Sequence, residues 1–222
     1  MTERLGFAAL VVAAIVVFLV LPHLLMPYYL GLTTKMLIFA LFAMSLDLML
    51  GYAGLASLGH AAFFGAAAYA VALLTLRAQW SSGAAFAAAL LAALVTGAVF
   101  APLALRARGS YFLMITFALS QVLWSVAFCW RTLTNGDDGM PGVPRPAMFD
   151  GNVSFYFFVL GVVAAASVLL VAIVKSPFGR ALQGIRESES RMQALGYDVW
   201  RYQFVALVLA AVFAGLAGAL YA

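Results

Sequence analysis

Residues 153–174 read VSFYFFVLGVVAAASVLLVAIV and contain no charged side chain. An α-helix rises 1.5 Å per residue, so about 20 apolar residues cross the roughly 30 Å hydrocarbon layer of a membrane. Six other stretches are similarly long and apolar. The sequence therefore predicts about seven transmembrane helices: Leu5–Leu25, Leu32–Leu50, Tyr52–Leu76, Gly83–Leu105, Tyr111–Trp130, Val153–Val174 and Tyr202–Ala222.

The overall composition leads to the same class of protein. Hydrophobic residues make up 66% of the chain and charged residues only 9%, against about 25% charged residues in soluble domains. An all-α, polytopic membrane protein fits this composition, whereas a soluble enzyme, a disordered chain and a disulfide scaffold do not. The single cysteine, Cys129, supports neither a disulfide framework nor a metal site. We expect no metal, no cofactor and no nucleic-acid partner.

Positive charges predict the orientation in the membrane. They concentrate before the first span and in two loops that seven spans place on one side: Arg4, Arg106, Arg108, Lys175, Arg180, Arg186, Arg191 and Arg201. Cytoplasmic loops carry such an excess, so this side and the N-terminus are predicted to be cytoplasmic. The first span is longer than the apolar core of a signal peptide and is expected to remain uncleaved. The opposite loop, 131–152, is slightly acidic.

The third predicted span begins with the unusual stretch 51–65, GYAGLASLGHAAFFG. One interpretation is a broken or re-entrant helix that lines a translocation path, because irregular backbone at membrane depth must face protein or a water-filled cavity. The other is a tightly packed helix start after a capping turn. Candidate path residues are Gly51, Gly54, Ser57, Gly59, His60 and Gly65. His60 could instead be a buried, hydrogen-bonded residue.

Two sets of small residues recur at regular spacing and predict close helix packing. Ser57, Ala61 and Gly65 recur every four residues and predict close helix contact, as do Ala210, Ala214, Gly218 and Ala222 in the last span.

Asp47 is an acid inside an apolar run and so a functional candidate. It also lies near a predicted helix end, where it could reach the interface or bond the glycine turn.

The stretch 176–196, SPFGRALQGIRESESRMQALG, predicts an amphipathic cytoplasmic helix. Ser176 suits the N-cap, Pro177 the first helical position and Gly196 the stop. Because Gly179 and Gly184 weaken the helix, two short helices with a bend are an alternative. An apolar stripe follows one face: Phe178, Leu182, Ile185, Met192 and Leu195. It could rest on lipid or dock into a soluble partner.

Four ordered motifs now become recognisable. They are GYAGLASLGHAAFFG at 51–65, RGSYFLMITFA at 108–118, TNGDDGMPGV at 134–143, and SPFGRALQGIRESE at 176–189 with ALG at 194–196. Together they resemble the branched-chain amino acid ABC transporter permeases of the LivH/LivM type, with the LivM branch fitting best. Members of that family continue for several more helices, so we expect residues 1–222 to be a single permease domain that is incomplete at the C-terminus.

The resemblance implies a function and a set of partners. The chain would be a non-enzymatic permease subunit of an ATP-driven importer for branched-chain or related amino acids, in a bacterial inner membrane. A second permease subunit, two cytoplasmic ATPases, a periplasmic or extracellular amino-acid-binding protein and the lipid bilayer would be its partners. The ATPase contact would fall on the coupling loop, 176–201, with these candidates: Phe178, Arg180, Leu182, Ile185, Arg186, Glu187, Glu189 and Arg191.

Two alternatives remain open at this stage. The first keeps an ABC permease but changes the cargo to urea, short amides or another small solute. The second is an ATP-independent secondary transporter. Ion coupling usually needs several intramembrane charges, and Asp47 is the one acid that the spans offer.

Overall fold

The computed structural model describes residues 18–22, 24–143 and 151–222, and within these ranges the regular structure is entirely helical. The helices are α1 (Pro27–Asp47), α2 (Ala61–Leu76), α3 (Ser82–Ala104), α4 (Ser110–Cys129), α5 (Arg131–Thr134), α6 (Asn152–Lys175), α7 (Pro177–Glu187), α8 (Glu189–Ala194) and α9 (Val199–Tyr221). A π-helical turn, Leu48–Tyr52, extends α1. The chain is a multi-pass membrane protein.

Five helices are long and apolar enough to cross a membrane: α1 with its π-helical extension, α3, α4, α6 and α9. They lie on five of the predicted spans and confirm them. The third predicted span, Tyr52–Leu76, is α-helical only from Ala61 onward, and this 16-residue helix is shorter than the other five. The first, Leu5–Leu25, falls mostly on residues outside the described ranges.

Helix α9 forms the centre of the bundle, and small residues let its neighbours approach closely. The predicted face is confirmed for Ala210, Ala214 and Gly218, which are buried, whereas Ala222 is exposed. A Cβ at Gly218 would overlap the backbone carbonyl of Phe64 on α2. Close backbone approach of this kind replaces the hydrophobic driving force that helices lack inside lipid.

Two basic segments of the chain meet at one end of the bundle. At one end, Arg108 in the α3–α4 turn forms an ion pair with Glu189 of α8 at 3.7 Å. The two basic segments that the sequence predicts on one side therefore meet at one end, which we call the loop end. The opposite, far end carries the N-termini of α1 and α6 and the C-terminus of α9.

Replacing Gly218 with Val should destabilise the bundle by about 1–3 kcal/mol, because the new side chain must displace the α2 backbone. The control is Gly161→Ala on α6, where a Cβ would meet no atom of the described residues within 4 Å. That change should be neutral or stabilise the helix by up to about 1 kcal/mol. Thermal unfolding in mild detergent measures both, and equal melting temperatures for the two variants would contradict the packing described.

Candidate functional site

The glycine-rich residues 53–60 are non-helical and run along α9. Ala53 packs in a buried cluster with Ala206 of α9, and the fourth residue of α2, Phe64, lies against Gly218. Residues 53–64 therefore advance by about 18 Å along α9, at 1.5 Å per α9 residue. Residues 53–60 therefore have irregular backbone at the same depth at which the neighbouring helix α9 is uninterrupted.

Side chains and a turn satisfy part of this irregular backbone. The amide of Leu55 donates to the carbonyl of Met49 at 2.9 Å. The amide of Leu58 donates to Oγ1 of Thr116 on α4 at 3.3 Å, and that of Gly59 donates to Oγ of Ser57 at 3.3 Å. Hydroxyl oxygens therefore accept from these amides in place of the i−4 carbonyl oxygens that would accept from them in an α-helix.

Two of the glycines are required by the geometry of the segment. Gly54 has a φ of +71°, a left-handed conformation that favours glycine. Gly59 lies so close to α4 that a Cβ would overlap the carbonyl of Thr116. The segment is thus clamped between α7, which contacts Gly54 through Arg186, and α4.

His60 lies at the end of this segment and is 2% exposed. Its Nε2 is 2.8 Å from Oγ of Ser45 on α1, and its ring packs against Phe42 and Phe63. Within the described ranges Nδ1 has no hydrogen-bond partner. This environment favours the buried, hydrogen-bonded interpretation of His60 over direct lining of a path.

The remaining candidate path residues differ in exposure. Gly54 is exposed, and Ser57, Gly51 and Gly65 are half-buried. A Cβ at Gly65 would meet no atom of the described residues within 4 Å, so the expected close contact along Ser57, Ala61 and Gly65 is wrong within these ranges. The reason is that Ser57 is not helical, and the three residues do not form one helix face.

The coupling loop folds into two short helices, α7 and α8, with a bend at Ser188. The predicted N-cap is confirmed, since Oγ of Ser176 accepts from the amide of Gly179 at 3.4 Å. The predicted stop is also confirmed, with Gly196 at a φ of +88°. The alternative of two helices is therefore the correct one, although the bend lies at neither Gly179 nor Gly184.

The apolar stripe of α7 faces the interior of this chain. Leu182 and Ile185 are 0% and 1% exposed, and Leu182 packs with Ala53 and Ala206. Phe178 is half-buried and stacks on Tyr202 of α9 at 5.6 Å. The expectation that the stripe rests on lipid or docks into a soluble partner is therefore wrong for these residues, because the glycine segment and α9 cover them.

Two charged candidates of the loop bind the bundle. Arg186 donates from Nη1 to the carbonyl of Gly51. Glu189 accepts from Nε2 of Gln203 on α9 at 3.1 Å, in addition to its ion pair with Arg108. The other charged candidates, Arg180, Glu187 and Arg191, are exposed at the loop end.

Asp47 lies in the same region of the loop end. Its carboxylate occupies the place where a Cβ at Gly51 would lie, and both residues line a hollow with Arg186. The structural interpretation of Asp47, as a partner of the glycine turn, agrees with this position.

A larger cavity of about 1000 Å³ opens at the far end, among the ends of α1, α2, α3, α6 and α9. Lys35 lines it together with Thr34 and Thr75, and its Nζ lies 5.9 Å from the centre of the Tyr221 ring. Lys35 is not among the residues predicted from the sequence, because only acids inside apolar runs are candidates there. A cation inside the predicted span Leu32–Leu50 is an equally good signal.

Comparison with known proteins identifies the class. Residues 28–222 match the family described as Branched-chain amino acid transport system / permease component. The chain belongs to this family, which is a transport family and not an enzymatic one. No solved structure gives a significant match.

Two relatives carry the same description of function. The chain is 24% identical to the high-affinity branched-chain amino acid transport system permease protein LivM of Escherichia coli (strain K12), over 99% of this chain and 57% of the relative. It is 24% identical to LivM of Salmonella typhimurium (strain LT2), over 85% of this chain and 51% of the relative. The chain thus spans about half the length of these curated relatives.

Thr116→Val should destabilise the protein by about 1–3 kcal/mol, because the amide of Leu58 loses its acceptor. Thr96→Val on α3 is a matched control, since the Thr96 hydroxyl bonds only carbonyls of its own helix. It should cost less than 1 kcal/mol. Thermal unfolding and hydrogen exchange of residues 53–60 measure the difference. An equal effect of both changes would show that Thr116 does not hold the segment.

Proposed function

We propose that the chain is the permease domain of a subunit of an ATP-driven importer for branched-chain or related amino acids. Family membership and the names of the two LivM relatives support the cargo class. In this proposal the membrane is a bacterial inner membrane, and the loop end and the N-terminus are cytoplasmic. Seven spans cross it, with Leu5–Leu25 as the first and the glycine-broken segment opening the third.

The proposed assembly contains a second permease subunit, two cytoplasmic ATPases and an outer amino-acid-binding protein. The exposed charges of the loop end, Arg180, Glu187 and Arg191, would form the ATPase contact. Leu182 and Ile185 would act through the interior, by fixing α7 to the bundle.

The observation that carries the mechanism is the contact between α7 and the glycine segment. Arg186 bonds the carbonyl of Gly51, and Leu182 packs on Ala53. Movement of α7 by the ATPases would therefore move residues 51–55 with it. Residues 53–60 hold few backbone bonds of helical type, so they can be displaced without unwinding a helix, and access from the loop end would change.

The path would run between the far-end cavity and the loop end. Gly54, Ser57 and Gly65 would border it, whereas Gly59 and His60 would hold the segment in place and Gly51 would join it to α7. At the far end, Lys35 would offer a positive charge to the carboxylate of an incoming amino acid.

Reversing charge at the loop end tests the ATPase contact. In the full-length subunit expressed with its ATPases, Arg180→Glu combined with Arg191→Glu should lower ATPase co-purification by about fivefold per site, equivalent to about 1 kcal/mol each. Arg77→Glu, an exposed position at the far end of α2, is the control and should leave co-purification unchanged. Full recovery of the ATPases with the double variant would refute the assignment.

Labelling of Leu58→Cys tests the coupling route, since Leu58 is 64% exposed. With Cys129 replaced by Ala, the rate of reaction with a membrane-impermeant thiol reagent should change severalfold when ATP is added to the assembled transporter. Adding Arg186→Gln should suppress that change while the ATPases remain bound. Adding Arg180→Gln should suppress the change only to the extent that it also reduces ATPase binding. An ATP response that persists with Arg186→Gln, while the ATPases remain bound, would exclude this route.

A further inference from the structure

Glu189, the first residue of α8, joins three elements at the loop end. Its Oε1 accepts a hydrogen bond from Nε2 of Gln203 on α9 at 3.1 Å, and its Oε2 lies 3.7 Å from Nη1 of Arg108 in the α3–α4 turn. Gln203 is 8% exposed, so its amide has little access to water as an alternative partner. A charged acceptor strengthens such a bond. Glu189 is therefore fixed to the central helix and links it to Arg108.

The two short helices of the coupling loop pack against each other. The sulfur of Met192 on α8 lies 2.9 Å from the place where a Cβ at Gly184 of α7 would be. At the bend, Oγ of Ser188 accepts from the amide of Arg191 at 3.4 Å and caps the start of α8. Because α8 packs closely on α7, a displacement of α7 is expected to displace Glu189 as well.

Helix α4 connects Arg108 to the glycine segment. Within the described ranges the buried residues of α4 are Phe112 and Thr116. Oγ1 of Thr116 accepts from the amide of Leu58, and its backbone carbonyl lies where a Cβ at Gly59 would be. Thr116 is six residues beyond the first residue of α4, a rise of about 9 Å. A rigid helix of this length passes a shift at its start on to Thr116.

We propose that Glu189 is a positioning residue. Through Arg108 and the first two turns of α4, it sets the place of the end of the glycine segment that Thr116 holds. The contact of α7 with the start of the segment holds the other end, so the coupling loop positions the segment at both ends. The ion pair is exposed, so it restrains the local motion of the segment without adding much to the stability of the fold. The inference rests on the proposed function in one respect, namely that ATPases move the loop.

Hydrogen exchange at two amides tests this route in the full-length subunit in mild detergent. Arg108→Gln should speed exchange of the Leu58 amide by about two- to fivefold, since an exposed ion pair contributes at most about 1 kcal/mol. The Leu55 amide, which bonds the carbonyl of Met49 at the other end of the segment, should keep its rate. An unchanged rate at Leu58, or the same acceleration at Leu55, would overturn the proposal.

A double-mutant cycle shows whether the effect passes through Thr116. In the Thr116→Val background the Leu58 amide has lost its acceptor, so adding Arg108→Gln should give no further acceleration of its exchange. An equal acceleration by Arg108→Gln in both backgrounds would contradict the route through α4.

Exchanging the two charges tests the ion pair itself. Arg108→Glu combined with Glu189→Arg restores a pair of opposite sense, and the Gln203 amide can rotate to present its oxygen to the arginine. The Leu58 amide should then regain most of its slow exchange. Exchange as fast as in Arg108→Gln would refute the positioning role of Glu189.

Arg201→Gln is the matched control for loss of an exposed arginine. The Arg201 side chain is 79% exposed against 78% for Arg108, and its ion pair with Asp198 at 2.8 Å joins residues at the start of one helix. The change should leave the Leu58 amide unaffected, and an acceleration equal to that of Arg108→Gln would contradict the proposal. The exchange measurements require no ATP, and ATPase co-purification is scored separately. This inference and the proposed function can therefore fail independently.

Discussion

The need to satisfy backbone polar groups where water is absent governs this fold. A transmembrane helix meets that need internally, but residues 53–60 leave helical geometry beside continuous α9. The amides of Leu55, Leu58 and Gly59 are instead bonded by a turn carbonyl and by the hydroxyls of Ser57 and Thr116. The glycines follow from the same constraint, because Gly59 must approach the α4 backbone closely enough for Thr116 to reach the amide of Leu58.

The coupling loop is an extension of this arrangement and not a separate appendage. Two buried side chains of α7, Leu182 and Ile185, pack into the bundle beside the start of the glycine segment, and Arg186 bonds the carbonyl of Gly51. At the other end of the loop, Glu189 is joined to α9 and to the α3–α4 turn. The exposed pair Arg108–Glu189 contributes little energy by itself. The apolar contacts of Leu182 with Ala53 and Ala206 therefore contribute more to holding α7 against the segment.

The sequence predicts the helices better than their contacts. Long apolar stretches locate the spans, and Ser176 and Gly196 locate the limits of the loop, because these signals are local. The spacing of apolar residues in α7 predicts a buried face. That spacing does not show whether a partner protein or the chain's own α9 covers the face. Likewise Gly59 and Gly65 look equivalent in the sequence. Only the packing of α4 against the segment makes one indispensable and leaves the other beside open space.

Side-chain length explains which polar residues in the spans are left for partners or solutes. Short hydroxyl side chains bond a carbonyl three or four residues earlier, as Thr34 and Thr75 do at 2.8 and 2.7 Å. These hydroxyls already bond an acceptor in their own helix and therefore need no polar group on a neighbouring helix. Gln121 and Lys35 make no such bond to their own helix, and each lies on a face that this bundle leaves uncovered. Within the described ranges, these two residues therefore keep hydrogen-bonding capacity that their own helices do not use. Gln121 faces the side of the bundle, and Lys35 faces the far-end cavity, where a charged solute can enter.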